Sequence, residues 1–168
     1  MEAQRKQRLD EVARIAVAIE AETGLPAQML IAQWAVESRW GEKPAGKANY
    51  FGVKKADRHE KCCTVTTHEV VGGKPVKLDL EFADYDSLEE SCRDYAWLIT
   101  HGQPYREAWR QYQADGDLHK LITGIARVYA TDPNYATLLT RIARQTNVSA
   151  AIEAARTEAS EGGGRAVA

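Results

Sequence analysis

The chain has 168 residues, enough to bury one core and too few to fill two. With 44% hydrophobic and 27% charged residues it has the composition of a folded soluble protein, which excludes disorder over most of its length. Its 22 Lys plus Arg stand against 24 Asp plus Glu for a formal net charge of -2, so no basic field draws in nucleic acid and no nucleic-acid partner is expected.

Leu9, Val12, Ala13, Ala16 and Ile19 recur at helical spacing and predict an amphipathic helix over the first twenty or so residues. Gly24 closes it. Pro26 suits the first turn of a second helix, which carries Met29, Leu30, Ala32 and Trp34 and stops near Gly41. Tyr50, Phe51 and Val53 form a short apolar run between glycine and lysines, read as a turn and a short strand. A stretch rich in Val and Thr from Thr64 to Val71 predicts one strand. The alternation of Val76, Leu78, Leu80 and Phe82 with Lys77, Asp79 and Glu81 predicts its partner. Gly72 and Gly73 form the tip, with Lys74 and Pro75 lengthening the loop, so a β-hairpin is inserted into a helical protein. Ser87 and Glu90 have the capping-box pattern ahead of a third helix that Gly102 closes. Shorter helical segments are predicted around Arg106 to Tyr112 and Leu118 to Val128. Asp132 and Pro133 then read as the cap and first-turn proline of a helix burying Leu138, Leu139 and Ile142. The rest turns rich in Ala and Glu and ends in Gly162, Gly163 and Gly164. The expected division is therefore one domain over 1–148 and a flexible tail over 149–168.

Cys62, Cys63 and Cys92 make an odd count, and joining the two neighbours would close a strained ring, so no disulfide framework is visible. His59, Cys62, Cys63 and His68 lack the paired two-residue gaps of structural zinc sites, and neither a metal nor a cofactor is expected. Residues 1–10 are charged throughout and no apolar run reaches signal-peptide or membrane-span length. The expectation is a monomer made in the cytoplasm without a signal peptide. A cell-wall target would then be reached through lysis or a dedicated export machine.

Chemistry is concentrated around Glu37. At about 100° per residue, Leu30 lies about 20°, Gln33 about 40° and Trp34 about 60° from it around the helix, so this carboxyl shares a largely apolar face. It also stands in the last turn, where the negative end of the helix dipole disfavours its charge. Both effects push its pKa up, as a general acid working near neutral pH requires. The alternative is an ordinary surface glutamate paired with Arg39 or Lys43. Glu69, in the first hairpin strand, is the natural second carboxylate, since glycosidases commonly flank the scissile bond with two. A cross-strand ion pair with Lys77 would explain Glu69 equally well. Trp40, Tyr50, Phe51, Tyr129 and Tyr135 cluster around these positions, where rings serve either sugar stacking or the core. Asn49 and the backbone at Gly52 suit an acetamido group or a simple turn.

Three blocks carry a resemblance: Ala32-Gln33-Trp34-Ala35-Val36-Glu37-Ser38-Arg39-Trp40-Gly41, Asn49-Tyr50-Phe51-Gly52-Val53-Lys54, and Tyr129-Ala130-Thr131-Asp132-Pro133-Asn134-Tyr135-Ala136. In order and spacing, together with Thr66-Thr67-His68-Glu69 in the hairpin, they resemble the glucosaminidase family, glycoside hydrolase family 73, from about Thr23 to Arg144. The resemblance implies an α+β, lysozyme-like fold, mainly helical, with the hairpin lobe forming one side of a substrate groove. It further implies cleavage of the β-1,4 bond after N-acetylglucosamine in peptidoglycan glycan strands. It carries the acid onto Glu37, the second acidic residue onto Glu69 and a cleft tyrosine onto Tyr129, with Asn49, Tyr50, Phe51 and Gly52 lining the groove. Lytic transglycosylases and muramidases share this fold, and a glycan-binding module without catalysis is the alternative from another class. Where the family usually has a small residue, often glycine, this chain has Arg39, a cation expected to lower the pKa of Glu37 or to contact substrate.

Overall fold

A computed structural model of the chain describes residues 2–71 and 74–163, with side chains at all of these except 67–71, 74, 75 and 163. Helix α1 (Glu2–Thr23) and helix α2 (Ala27–Glu37) are followed by a long connection. Then come strands β1 (Cys62–Val71) and β2 (Lys74–Ala83), helix α3 (Leu88–His101), a 3-10 turn at Gln103–Tyr105, and helices α4 (Arg106–Asp115), α5 (Leu118–Tyr129), α6 (Tyr135–Ala143) and α7 (Thr146–Gly163).

Helix α2 is the centre of the molecule. Ala27, Met29, Leu30, Ile31, Ala32, Gln33, Trp34 and Ala35 are all buried, so the helix is covered nearly all round, by α1, α6 and α7 among others. Each fully buried Leu, Ile or Met contributes roughly 1.5–3 kcal/mol, so Met29, Leu30 and Ile31 make this segment a large source of cohesion in the helical body. Helix α3 starts as its sequence signals: Ser87 Oγ accepts from the Glu90 amide at 3.1 Å, and the Glu90 carboxylate accepts from the Asp86 amide at 2.8 Å.

The strands form one antiparallel pair whose register sets Cys63 opposite Phe82, Val65 opposite Leu80 and Glu69 opposite Val76. Half-buried Val65, Val76, Leu78 and Leu80 alternate with exposed Thr64, Thr66, Lys77 and Asp79, so the hairpin has one covered face. It is rooted at its open end: the Ala83 amide donates to the Val53 carbonyl at 3.0 Å, and the Lys55 amide donates to the Glu81 carbonyl at 3.1 Å.

Four expectations change. No strand forms over residues 50–53, where Gly52 turns the chain with φ 64°; only a single bridge joins Lys54 to Phe82. Lys74 and Pro75 belong to β2 and do not lengthen the loop, while Gly72 and Gly73 lie outside the described residues. Pro133 precedes its helix, since Asp132 Oδ1 accepts from the Asn134 amide at 2.8 Å in a turn before α6 begins at Tyr135. The largest change is at the C-terminal end, where residues expected to fray form α7. Val148, Ala151, Ile152 and Ala155 fall at helical spacing and are buried, with α7 packed along α1. Arg156 pairs with Glu20 at 2.8 Å along the same seam. The folded body therefore extends past 148, and the flexible-tail assignment of 149–168 does not hold up to Gly163; 164–168 lie outside the described residues.

Candidate active site

Glu37 is the last residue of α2, and the residue after it explains why the helix stops there. Ser38 is fully buried, its Oγ donating to the Trp34 carbonyl at 2.6 Å and accepting from the Gly41 amide at 2.9 Å, which folds the chain back at once. The serine of the Glu-Ser pair thus shapes the turn. Glu37 itself is half-buried, and burial holds its pKa above the usual 4.5, while a hydrogen bond donated by the Tyr135 hydroxyl to Oε1 works in the opposite direction. Its other oxygen, Oε2, lies beside Gly52, where even a Cβ would come within 3.7 Å. That distance is an ordinary contact, so the positive φ at Gly52, and not lack of space, is what disfavours a side chain there.

Behind Glu37 lies a set of stacked aromatic rings. Phe51 and Tyr95 stack at 4.3 Å, and Tyr129 and Tyr135 lie parallel at 6.5 Å. Burial and the nearby Glu37 carboxyl raise the hydroxyl pKa values of Tyr95, Tyr129 and Tyr135, so all three are neutral donors across the physiological range. A cleft of about 590 Å³ opens beside Tyr129, bordered by Arg127, Thr131, Asp132, Pro133 and Ala136.

The residues singled out in the sequence divide sharply. Glu37, Gly52, Tyr129 and Tyr135 come together. Tyr135, expected to contact substrate, touches the acid through its hydroxyl. Tyr129 joins the cluster through its ring, but its hydroxyl donates to the Phe51 carbonyl at 2.5 Å. Asn49 is 1% exposed, and its amide is consumed internally. Nδ2 donates to the Val53 and Ala83 carbonyls at 2.9 and 2.8 Å, and Oδ1 accepts from the Phe51 and Val53 amides at 3.3 and 3.1 Å. It pins the turn and has nothing left for an acetamido group. Phe51 is fully buried and lines no groove. Tyr50 is half-buried, with Glu11 and Arg8 of α1 and Cys92 of α3 near its hydroxyl, and its amide donates to Ser91 Oγ. Trp40 meets Trp34 edge-on, and the Arg5 guanidinium covers its ring at 3.7 Å, which places it at the α1 junction.

Arg39 is exposed and contributes nothing to the shift of Glu37, so neither the electrostatic role expected of it nor the surface-pair alternative describes the acid. Glu69 stands opposite Val76 in the register, and Lys77 stands opposite His68; the Glu69 side chain lies outside the described residues. Gln33 was missed as a participant, although its position one turn before Glu37 on the same face was the available signal. Its amide bonds both Tyr95 and Tyr135. Among the described residues no group of three or more His, Cys, Asp or Glu side chains could hold a metal ion, and no helix is long and apolar enough to cross a membrane.

Residues 13–148 match the glucosaminidase family model, described as mannosyl-glycoprotein endo-beta-N-acetylglucosaminidase. A probable N-acetylmuramidase of Lactococcus lactis subsp. lactis is 31% identical over 150 residues, 84% of this chain and 33% of that protein. The peptidoglycan hydrolase FlgJ of Pseudomonas aeruginosa is 33% identical over 142 residues, 80% of this chain and 35% of that protein. The chain thus spans about a third of the length of these curated relatives. Among solved structures, the catalytic domain of the autolysin Auto from Listeria monocytogenes superposes with a TM-score of 0.75 at 26% identity, covering 88% of this chain and 86% of that one. Its helical body, inserted hairpin and matched sequence make this chain a member of the glucosaminidase family, glycoside hydrolase family 73, with a lysozyme-like fold.

Proposed function

We propose that the chain hydrolyses the β-1,4 bond after N-acetylglucosamine in the glycan strands of bacterial peptidoglycan, with Glu37 as proton donor. The observation that carries this reading is the state of Glu37: a desolvated carboxyl at a helix C-terminus, with one oxygen tied to Tyr135 and the other beside a glycine. Glu37 gives its proton to the departing sugar oxygen as the glycosidic bond breaks and its electron pair moves to that oxygen. The cationic sugar left behind is captured by water. Glu69 activates that water from the opposite side with inversion, which calls for carboxyl groups roughly 6.5–9.5 Å apart. The rival route is attack by the substrate's own acetamido group with Tyr129 orienting it; with its hydrogen given to the Phe51 carbonyl, the Tyr129 hydroxyl would serve that group as an acceptor for the acetamido N–H.

The names of the relatives support a peptidoglycan substrate, and the Lactococcus relative's name favours a second reading, cleavage after N-acetylmuramic acid. Mass spectrometry of digested peptidoglycan separates them. Reducing-end N-acetylglucosamine is expected, reducing-end N-acetylmuramic acid would establish the second reading, and an anhydro product would mark a transglycosylase.

Glu37→Gln is expected to cut turnover by on the order of a hundredfold to ten-thousandfold, and near wild-type turnover would remove the reading. It should also melt higher than wild type at neutral pH. The folded state holds the Glu37 proton more tightly than the unfolded chain does. This stabilisation is fully present below the usual 4.5 and is lost as pH rises through the raised value. The advantage of the variant should therefore shrink in acid.

A further inference from the structure

Three side chains from three helices stand in line behind the acid. The Tyr95 hydroxyl of α3 donates to Gln33 Oε1 of α2, and Gln33 Nε2 donates to the Tyr135 hydroxyl of α6 at 3.3 Å. Tyr135 in turn donates to Glu37 Oε1. Tyr95 and Gln33 are fully buried. A tyrosine hydroxyl can face either way along such a line, but an amide cannot, because one end only accepts and the other only donates. With its oxygen engaged by Tyr95, Gln33 presents its nitrogen to Tyr135. That occupies a lone pair of the Tyr135 hydroxyl and turns its hydrogen toward Glu37. The reverse order would have Glu37 donating from Oε1 into the line, with its proton on the oxygen away from Gly52.

We infer that Gln33 is a positioning residue: it holds the Tyr135 hydroxyl as a donor to Oε1 and so confines the acid proton of Glu37 to Oε2, the oxygen beside Gly52. The inference rests on Glu37 being the proton donor. The titratable groups facing Glu37 are Tyr95 of α3, Tyr129 of α5 and Tyr135 of α6, with Tyr105 behind them; all are kept neutral by burial. Among the described residues no charged side chain contributes to the state of Glu37, which leaves the line of hydrogen bonds as the tunable element. A glutamine that served only to satisfy Tyr95 would leave the titration of Glu37 where it is.

The test is a carbon-13 NMR titration of the Glu37 carboxyl, paired with pH profiles of kcat/KM, for wild type, Gln33→Met, Tyr95→Phe, Tyr135→Phe and the Gln33→Met/Tyr135→Phe double variant. Each loss of the donated hydrogen bond removes support for the charged carboxylate. The titration point and the alkaline limb should therefore rise by about one pH unit in Tyr135→Phe and Gln33→Met. The double variant should rise no further than Tyr135→Phe alone, and kcat should fall while KM stays within about twofold. An unmoved titration in folded Gln33→Met, or additive shifts in the double variant, overturns the inference. Should Gln33→Met fail to fold, Tyr95→Phe decides, because it frees the amide to turn while removing one oxygen. It is expected to shift the limb in the same direction by a smaller step, and an unmoved limb overturns the inference. Failure here with Tyr135→Phe still raising Glu37 leaves the proton-donor reading intact, whereas an active Glu37→Gln removes that reading independently.

Discussion

Glu37 ends a helix buried almost all round, and α3, α5 and α6 press tyrosines against it or against its neighbours. Glu69 lies on a two-stranded ladder rooted at its open end through Val53, Lys55, Glu81 and Ala83. A hairpin of two strands is marginal in water on its own, so its stability depends on that root. The two carboxylates therefore stand on supports of different kinds. The proposed proton donor is held by an over-determined interior that sets its protonation state, while the proposed second carboxylate is carried on an arm that, among the described residues, is hydrogen-bonded to that interior at its open end. Asn49 is the joint, because one buried amide holds both the turn beneath Glu37 and the root of β2.

Glu69 and Tyr129 are the two groups that compete for the proposed second role. Glu69→Ala is expected to lose on the order of a hundredfold in turnover. Tyr129→Phe, which removes a bond to the Phe51 carbonyl, should lose only a few-fold and about 1 kcal/mol of stability. Early products should carry the inverted α-anomer by NMR. Retained β-anomer with a mild Glu69→Ala defect would pass the role to the substrate's acetamido group and Tyr129, and the arm would then shape the groove without taking part in the reaction.

A smaller effect, on stability, tests the joint. Asn49→Ala takes this partner from the Ala83 carbonyl and from the Phe51 and Val53 amides, and leaves the Val53 carbonyl with the Ala83 amide alone, so it should cost about 2–4 kcal/mol in denaturant unfolding. Amide exchange should show where the loss falls: protection is expected to drop at Val53 and Ala83 together, more than at the core of α2. Uniform loss across the molecule would mean that the hairpin and the helical body unfold as one unit, and that the arm is less separate than its attachment implies.

What could be read from the sequence follows from the range over which each signal acts. The helices and the hairpin were legible because burial imposes a period of 3.6 or 2 on neighbouring residues, and Leu9 to Ile19 or Val76 to Phe82 show it plainly. Glu37 was legible from its apolar face and its block of neighbours. Tyr135 as its hydrogen-bond partner was not, since the two are 98 residues apart and only the packing of α6 on α2 joins them. Asn49 looked like a ligand for sugar because a turn asparagine and a binding asparagine have the same sequence context; only its burial separates them. Helix α7 was hidden by composition. Alanine buries little area, so a seam built on Val148, Ala151, Ile152 and Ala155 reads as weakly apolar, although its spacing was already helical.

Arg39 lies on the turn that follows the buried helix and has a small effect on stability. It stands with φ 51° and is followed by Trp40 at 60° and Gly41 at 77°, three left-handed residues in succession where the chain reverses after Ser38. A residue with a Cβ is disfavoured there by roughly 1–2 kcal/mol, which accounts for a preference for glycine at this position without any appeal to charge. Arg39→Gly relieves that strain but gives the unfolded chain more freedom, a cost of about 0.5–1 kcal/mol, so a net gain of about 0–1.5 kcal/mol is expected in thermal melting. Because the Arg39 side chain is exposed and takes no part in the shift of Glu37, the alkaline limb of the pH profile should stay in place. Arg39→Ala serves as the control, removing the same charge while keeping the strain. If both variants displaced the limb equally, the guanidinium would be acting on the acid through solvent, and the protonation state of Glu37 would answer to the surface as well as to the tyrosines packed around it.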